Sequence, residues 1–231
     1  MGLNQTGKGI VVSVDGPSAS GKSSVSRGVA SRLGFIYCDS GAVYRAVTWK
    51  ALREDVDIND EDAVLKLVNE TKWGFVEENN AMTFKLDGID PGEEIRSALV
   101  ADNVSIVAKM PSIRKFVVAR LREMRKFGDL VMEGRDIGSV VFPAADFKYY
   151  LDASAEERAR RRHADYLKQN HVDGIENVYK SLQRRDQTDK SRKNAPLRVP
   201  DDAEVIDSTV MSKDEVIDFI EKDIREKMEW Q

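Results

Sequence analysis

The sequence predicts an α/β fold in which a five-stranded parallel sheet is flanked by helices. The first observation is a short β-branched run at residues 9–14, which ends at a glycine-rich turn and is typical of a buried strand. The second is the segment 22–33, which predicts a helix that stops at Gly34, followed by a short strand at 35–38. Three further short strands are predicted at residues 130–132, 147–151 and 204–206.

Residues 73–90 interrupt this strand–helix alternation. Asn79-Asn80 and Asp87-Gly88 lie beside β-rich runs, and such pairs are typical of tight hairpin turns. The segment therefore predicts a small antiparallel β insert on the parallel core.

Residues 155–193 also interrupt it, because they are helical in pattern, dense in arginine and without a long apolar stripe. Two interpretations are open: a mobile cover that brings arginines to a ligand, or an ordinary solvated helix pair. Charge alone favours the solvated pair.

Composition limits the classes of function that need to be considered. The 231 residues carry a net charge of −4 and one cysteine, so we expect no general attraction to nucleic acid or membrane and no disulfide framework. The apolar run near the N-terminus is too short for a signal peptide or a membrane span. We expect a single monomeric domain over 1–231, located in the cytoplasm.

The turn after the first strand matches the phosphate-binding pattern G-x-x-x-x-G-K-[ST], also called the P-loop or Walker A motif. Its backbone N–H groups and the following helix N-terminus attract phosphates, and Lys22 neutralises charge in the transition state. Ser23 is the expected Mg²⁺ ligand. The residues predicted to hold the triphosphate are Gly16, Pro17, Ser18, Ala19, Ser20, Gly21, Lys22, Ser23 and Ser24.

A triphosphate site alone does not identify a reaction. The chain has no Asn-Lys-x-Asp segment for guanine and no glutamine obviously placed to orient a hydrolytic water, which argues against a GTPase switch. Its size argues against a motor. A small-molecule kinase is favoured, and the identity of its acceptor stays open. A non-enzymatic nucleotide-binding module also stays open.

A kinase needs an acceptor pocket, and residues 39–45 begin where the second strand ends, on the side where open α/β sheets bind ligands. Ser40 is predicted to cap the next helix, Tyr44 to stack on a base and Arg45 to pair with a phosphate. The alternative is a capped helix with a core tyrosine and a surface arginine.

Arg135 and Asp136 follow the third parallel strand between two glycines. A charged pair is costly to bury unless it is matched. The favoured interpretation is that Arg135 holds a phosphate and Asp136 accepts hydrogen bonds from a base amino group; the alternative is an internal ion pair.

These motifs, in this order over nearly the whole chain, resemble those of the bacterial cytidylate kinase family. The resemblance depends on the segments 15–18, 21–22, 39–45, 134–143 and 156–159, and on Arg185-Asp186 with Asp189 and Arg192. It implies transfer of the ATP γ-phosphoryl group, with Mg²⁺, to CMP or dCMP in pyrimidine nucleotide metabolism. It also implies a core (9–39, 129–154 and 194–231), a monophosphate-binding region (about 40–128) and a lid (about 155–193), so the cover interpretation of 155–193 becomes the preferred one.

The resemblance also implies roles for individual residues. Ser105, Arg114 and Asp136 would read cytosine, with Ser40 and Tyr44 lining its pocket. Arg45 and Arg135 would hold the acceptor phosphate, and Arg185 and Asp189 would contact the sugar. The lid arginines would be Arg158, Arg161, Arg162 and Arg192, with Arg158 assigned to ATP. The catalytic set would be Lys22, Arg135, Arg161 and Arg192.

Overall fold

The computed structural model describes residues 9–168, 174–192 and 196–229. Residues 169–173 and 193 of the predicted lid, and 194, 195, 230 and 231 of the predicted core, lie outside this part of the chain. The chain divides into two compact units: the first comprises Met1–Ile10 with Ile36–Leu130, and the second comprises Val11–Phe35 with Val131–Gln231. The predicted division into core, monophosphate-binding region and lid stays a prediction.

The secondary structure alternates between strands and helices. In chain order the strands are β1 (Val11–Asp15), β2 (Ile36–Asp39), β3 (Trp73–Glu78), β4 (Ala81–Leu86), β5 (Leu130–Gly134), β6 (Phe147–Asp152) and β7 (Glu204–Asp207). The α-helices are α1 (Lys22–Leu33), α2 (Ser40–Arg53), α3 (Glu61–Glu70), α4 (Ala98–Val107), α5 (Pro111–Glu123), α6 (Ala155–Lys168), α7 (Ile175–Lys190) and α8 (Lys213–Glu229).

The second unit contains strands β5, β1, β6 and β7, side by side in that order. Strand β6 runs parallel to both of its neighbours, with Val12 opposite Phe147 and Tyr149 opposite Glu204. All five residues of β1 are buried, as expected for a parallel strand covered on both faces. The carboxyl ends of the three parallel strands β1, β6 and β7 meet at one edge of the sheet, which is where open α/β sheets bind ligands. The predicted α/β class is confirmed.

Helix α1 follows β1 and has the bounds that the sequence predicts. It buries Val25, Val29 and Ala30 on one face, and it ends at Gly34, whose φ of +70° favours glycine. Its N-terminus therefore points its free N–H groups toward the loop that precedes it.

The first unit contains strands β3, β4 and β2, also side by side in that order. Strands β3 and β4 form the predicted hairpin, and Asn79 and Asn80 both have positive φ values (+53° and +57°), as a tight hairpin turn requires. At the second predicted turn, a single antiparallel bridge joins Leu86 and Ile89.

The described residues form seven strands, where the predicted parallel core has five. The two additional strands are those of the hairpin, and β4 also pairs in parallel with β2, Tyr37 lying opposite Ala81. The hairpin therefore extends the strand pairing of β2, a long-range contact that local sequence patterns do not encode.

Helices α6 and α7 confirm the helical prediction for most of 155–193. Ala159 of α6 packs with Val178 and Leu182 of α7 in a small buried cluster. These residues, with Tyr166 and Tyr179 packed against them, provide an apolar contact between two helices that are otherwise mostly polar. No helix in the described part of the chain combines the length and apolar character needed to cross a membrane.

Candidate active site

Lys22 lies folded against the loop at residues 16–23, between β1 and α1. Its Nζ donates to the carbonyl oxygen of Pro17 at 2.5 Å and to Ser20 Oγ at 3.4 Å, and its side chain is buried. Burial, and after it the nearby Arg135, lower the pKa of Lys22 to about 7 against the opposing effect of Glu133. A buried ammonium that is costly to keep charged favours the binding of an anion.

Ser23 and Ser24 lie in the first turn of α1, and both are exposed. Ser24 Oγ donates to the carbonyl oxygen of Gly21 at 2.9 Å, which leaves the exposed Ser23 hydroxyl as the better placed of the two to meet a cation with the phosphates.

Asp15, at the end of β1, holds the segment that follows Arg135 and Asp136. Its two carboxylate oxygens accept from the N–H groups of Ile137 (2.8 Å) and Gly138 (2.7 Å), which begin a short π-helical segment. Burial raises the pKa of Asp15 to about 6 despite these hydrogen bonds. Asp15 therefore fixes the position of the adjacent charged pair, a role that sequence reasoning missed.

Asp189 of α7 joins two arginines that the sequence assigns to the site. Its carboxylate accepts from Arg135 Nε at 2.8 Å and forms an ion pair with Arg192. Loss of water around its guanidinium lowers the pKa of Arg185, and the like charges of Arg135 and Arg162 add to this effect. Arg185 therefore lies close enough to both guanidinium groups to be repelled by them, and such a positive cluster favours phosphate.

Arg158 of α6 is bound to the donor loop and to α7. Its Nη1 donates to the carbonyl oxygen of Ser18 at 3.1 Å and to Asp186 Oδ2 at 2.5 Å, and its Nε donates to Ala153 O at 3.1 Å. The family resemblance includes Asp186 but implies no role for it. Its position next to Arg185 is the signal in the sequence that could have identified it.

Arg161 is also engaged with backbone oxygens. It donates to the carbonyl oxygens of Ser20 (3.3 Å) and Ser208 (2.6 Å) and to Glu157 Oε1 at 2.8 Å. Hydrogen bonds from Arg160 and then Arg161 lower the pKa of Glu157 to about 2. Arg161 therefore connects α6 to the donor loop and to the loop after β7. The sequence analysis assigned no role in the site to Ser208 or to Glu157.

In the first unit, the acceptor-side helix α2 is capped by Asp39 rather than Ser40. Asp39 Oδ1 accepts from the N–H of Ala42 at 3.0 Å, and Oδ2 accepts from Arg45 Nη2 at 2.6 Å. The prediction for Ser40 as the cap was wrong because β2 continues through Asp39 and Ser40 is already the first helical residue. The Asp39 carboxylate thus holds Arg45 in place.

Tyr44 and Arg114 also come together in the first unit. The Arg114 guanidinium lies 5.6 Å from the centre of the Tyr44 ring, and its Nη1 donates to the carbonyl oxygen of Ala108 at 3.2 Å. Arg114 is buried on α5, while Ser105 is half-buried on α4. Tyr44 and Arg114 therefore form an aromatic and cationic pair suited to a planar polar ring.

A family model described as cytidylate kinase matches residues 12–226. The chain belongs to the cytidylate kinase family. The cytidylate kinase of Geobacillus sp. (strain WCH70) is 42% identical over 219 residues, which cover 95% of this chain and 98% of the relative. That of Desulforamulus reducens is 43% identical over 209 residues, covering 90% of this chain and 94% of the relative.

Among solved structures, shikimate kinase from Acinetobacter baumannii in complex with shikimate aligns with 94% of each chain, at 15% identity and a TM-score of 0.46. Similarity at that level says nothing about the substrate. Cytidylate kinases are nucleoside monophosphate kinases, so the chain is an enzyme of phosphoryl transfer.

Proposed function

We propose that the chain transfers the γ-phosphoryl group of Mg-ATP to CMP or dCMP and releases CDP or dCDP. The observation that carries the proposal is the arginine cluster of the second unit, in which Arg135 and Arg162 lie near enough to Arg185 to lower its pKa and Arg135 donates to Asp189. Lys22 of the donor loop lies near enough to Arg135 for its pKa to be lowered. A cluster of positively charged side chains suits the binding of two phosphate groups, one from the donor and one from the acceptor.

Mg²⁺ fits the residues of the donor loop. Mg²⁺ prefers oxygen ligands and keeps most of its ligands as water and phosphate, so one protein hydroxyl is enough. The exposed hydroxyl of Ser23, beside the N-terminus of α1, would hold the ion. When bound, the ion supplies positive charge that neutralises the phosphate oxygens during transfer.

The residues assigned to the base match the polar groups of cytosine. Cytosine offers an amino donor beside a ring nitrogen and a carbonyl that accept, and uracil reverses the first two. The carboxylate of Asp136 suits the amino group, and the guanidinium of Arg114, positioned by Ala108, suits the acceptors. With uracil both contacts become repulsive, a mismatch worth on the order of 2–4 kcal/mol in a dry site.

The phosphoryl transfer needs no dedicated general base, because the attacking phosphate oxygen is already anionic. What the protein supplies is position and charge. Lys22 and Arg135 neutralise the transferring and acceptor phosphates, while Asp39 holds Arg45 ready for the acceptor phosphate. Exclusion of water by the arginine-rich helices would protect ATP from hydrolysis.

One coupled assay with Mg-ATP and each of CMP, dCMP, UMP, AMP and GMP tests the proposal. We expect CMP or dCMP to give the highest kcat/KM. Preference for AMP or GMP would contradict it, as would ATP binding without turnover of any acceptor, the behaviour of a nucleotide-binding module.

Asp136→Ala tests the base assignment. It should lower kcat/KM for CMP at least tenfold more than for UMP, because only cytosine loses a favourable contact. Asp201→Ala, which removes an exposed aspartate before β7, is the matched control. An equal loss for both acceptors would remove Asp136 from base recognition.

A monomeric state and a cytoplasmic location are also part of the proposal. The single cysteine, Cys38, is buried and free, and burial raises its thiol pKa well above the usual range, so it is poorly suited to an intermolecular disulfide. Sedimentation equilibrium and fractionation of cells test the two points.

A further inference from the structure

Both backbone groups of Ser18, in the donor loop, are bound by side chains of the arginine-rich helices. The Ser18 N–H donates to Asp186 Oδ1 at 3.3 Å, and the Ser18 carbonyl oxygen accepts from Arg158 Nη1 at 3.1 Å. The same Nη1 donates to Asp186 Oδ2 at 2.5 Å, which closes a triangle of hydrogen bonds. All three residues are buried.

The next residue of the loop is held by apolar packing. Ala19 has a φ of +62°, which is uncommon for a residue other than glycine and persists only where the surroundings impose it. It packs against the buried cluster of Ala159, Val178 and Leu182. The shape of the loop at residues 18–19 is therefore imposed by α6 and α7 as well as by the loop sequence.

Asp186 is the centre of this junction because of its charge. Its carboxylate pairs with the buried guanidinium of Arg158, which also donates to the carbonyl oxygens of Ser18 and Ala153. A buried cation that loses its carboxylate is strongly destabilised and moves toward water. Such a movement would release the Ser18 carbonyl at the same time as the Ser18 N–H.

We infer that Asp186 is a positioning residue for the ATP-binding loop: by binding the Ser18 N–H and Arg158 together, it holds the loop in the conformation that receives the triphosphate. Asp186 acts through Ser18 and Arg158 and is not assigned a contact with the reacting atoms. The identity of the nucleotide depends on the proposed function.

The test compares Asp186→Ala and Asp186→Asn with the wild-type chain. Titration calorimetry with Mg-ATP alone and with CMP alone gives the two dissociation constants, and circular dichroism checks the fold. We expect Asp186→Ala to raise the dissociation constant of Mg-ATP at least tenfold and that of CMP less than twofold, because misplacement of the loop affects only the donor. Asp186→Asn keeps an acceptor for the Ser18 N–H but loses the charge opposite Arg158, so it should lie in between, at threefold or more.

Glu176→Ala removes the same charge from an exposed position on α7 and should leave both constants unchanged. Arg158→Ala added to Asp186→Ala should weaken Mg-ATP binding little beyond the single variant, since the two residues act as one unit. A purely structural role would predict a lower melting temperature with equal effects on both ligands.

Unchanged Mg-ATP binding in folded Asp186→Ala, or equal weakening of Mg-ATP and CMP, would overturn the inference. If Asp186→Ala does not fold, wild-type binding by Asp186→Asn overturns it in the same way. A chain that binds Mg-ATP but phosphorylates no CMP contradicts the proposed function only, because the role of Asp186 is measured on ATP binding without an acceptor.

Discussion

Gly16, the first residue of the donor loop, offers a sharp test of how the loop is built. Its φ is +153°, and a Cβ at this position would lie 2.1 Å from the backbone carbonyl oxygen of Leu151 in β6. Contacts shorter than 3.0 Å are essentially never seen for a real Cβ, so in Gly16→Ala the loop or the strand must move by about 0.9 Å. Leu151 is fully buried in β6, between β1 and β7, so the displacement should fall mainly on the loop.

A displacement of about 1 Å at a site that works by positioning costs roughly 100-fold in rate. We therefore expect Gly16→Ala to lower kcat/KM about 100-fold in the coupled assay with CMP and saturating Mg-ATP. A thermal melt should show that the variant still folds, with a lowered melting temperature.

Gly34→Ala is the matched control. Gly34 also has a positive φ, +70°, but a Cβ there meets no atom within 4 Å. The substitution therefore adds only backbone strain, about 1–2 kcal/mol, far from the loop. It should lower stability and leave kcat/KM within about twofold. A folded Gly16→Ala enzyme that keeps more than about a fifth of wild-type activity would refute the reasoning.

Three further predictions concern Lys22, Asp15 and Glu61. Lys22→Ala should retain the fold, since it removes a buried charge whose pKa is already lowered, but should lose at least about 100-fold in kcat; near-normal turnover would contradict the loop assignment. Because folding raises the pKa of Asp15 from 3.8 to about 6, the native state holds this proton more tightly, and stability is lost as pH rises through that range. In urea titrations, the free energy of unfolding of wild type relative to Asp15→Asn should fall by up to about 3 kcal/mol between pH 4 and 6.5, and a constant difference would contradict this. Glu61 Oε1 accepts from the N–H and the hydroxyl of Ser112 (2.7 and 2.6 Å), so Glu61→Ala should cost about 1 kcal/mol of unfolding free energy. Asp62→Ala, on the exposed neighbour, is its control, and equal losses would exclude the contact as the cause.

Much of the fold follows from local patterns. The β-branched run before Gly16 and the stop at Gly34 predict β1 and α1, and Asn79-Asn80 predicts the hairpin, because these signals depend on backbone preferences within a few residues. The pairing of β4 with β2 and the capping of α2 by Asp39 were not predicted. The first is a long-range contact, and the second depended on whether the strand ended one residue earlier.

The sequence by itself identified a phosphate-binding loop with Lys22, because residue type and spacing within one short motif are enough for that. Its resemblance to the cytidylate kinase family predicted the arginines and the carboxylate for a cytosine monophosphate. Only the tertiary structure decided which charges meet. Asp189 binds Arg135, 54 positions away in the chain, and Asp186 reaches Ser18 across 168 positions. Partners so distant are selected by the packing of helices on the sheet, because no local preference connects them.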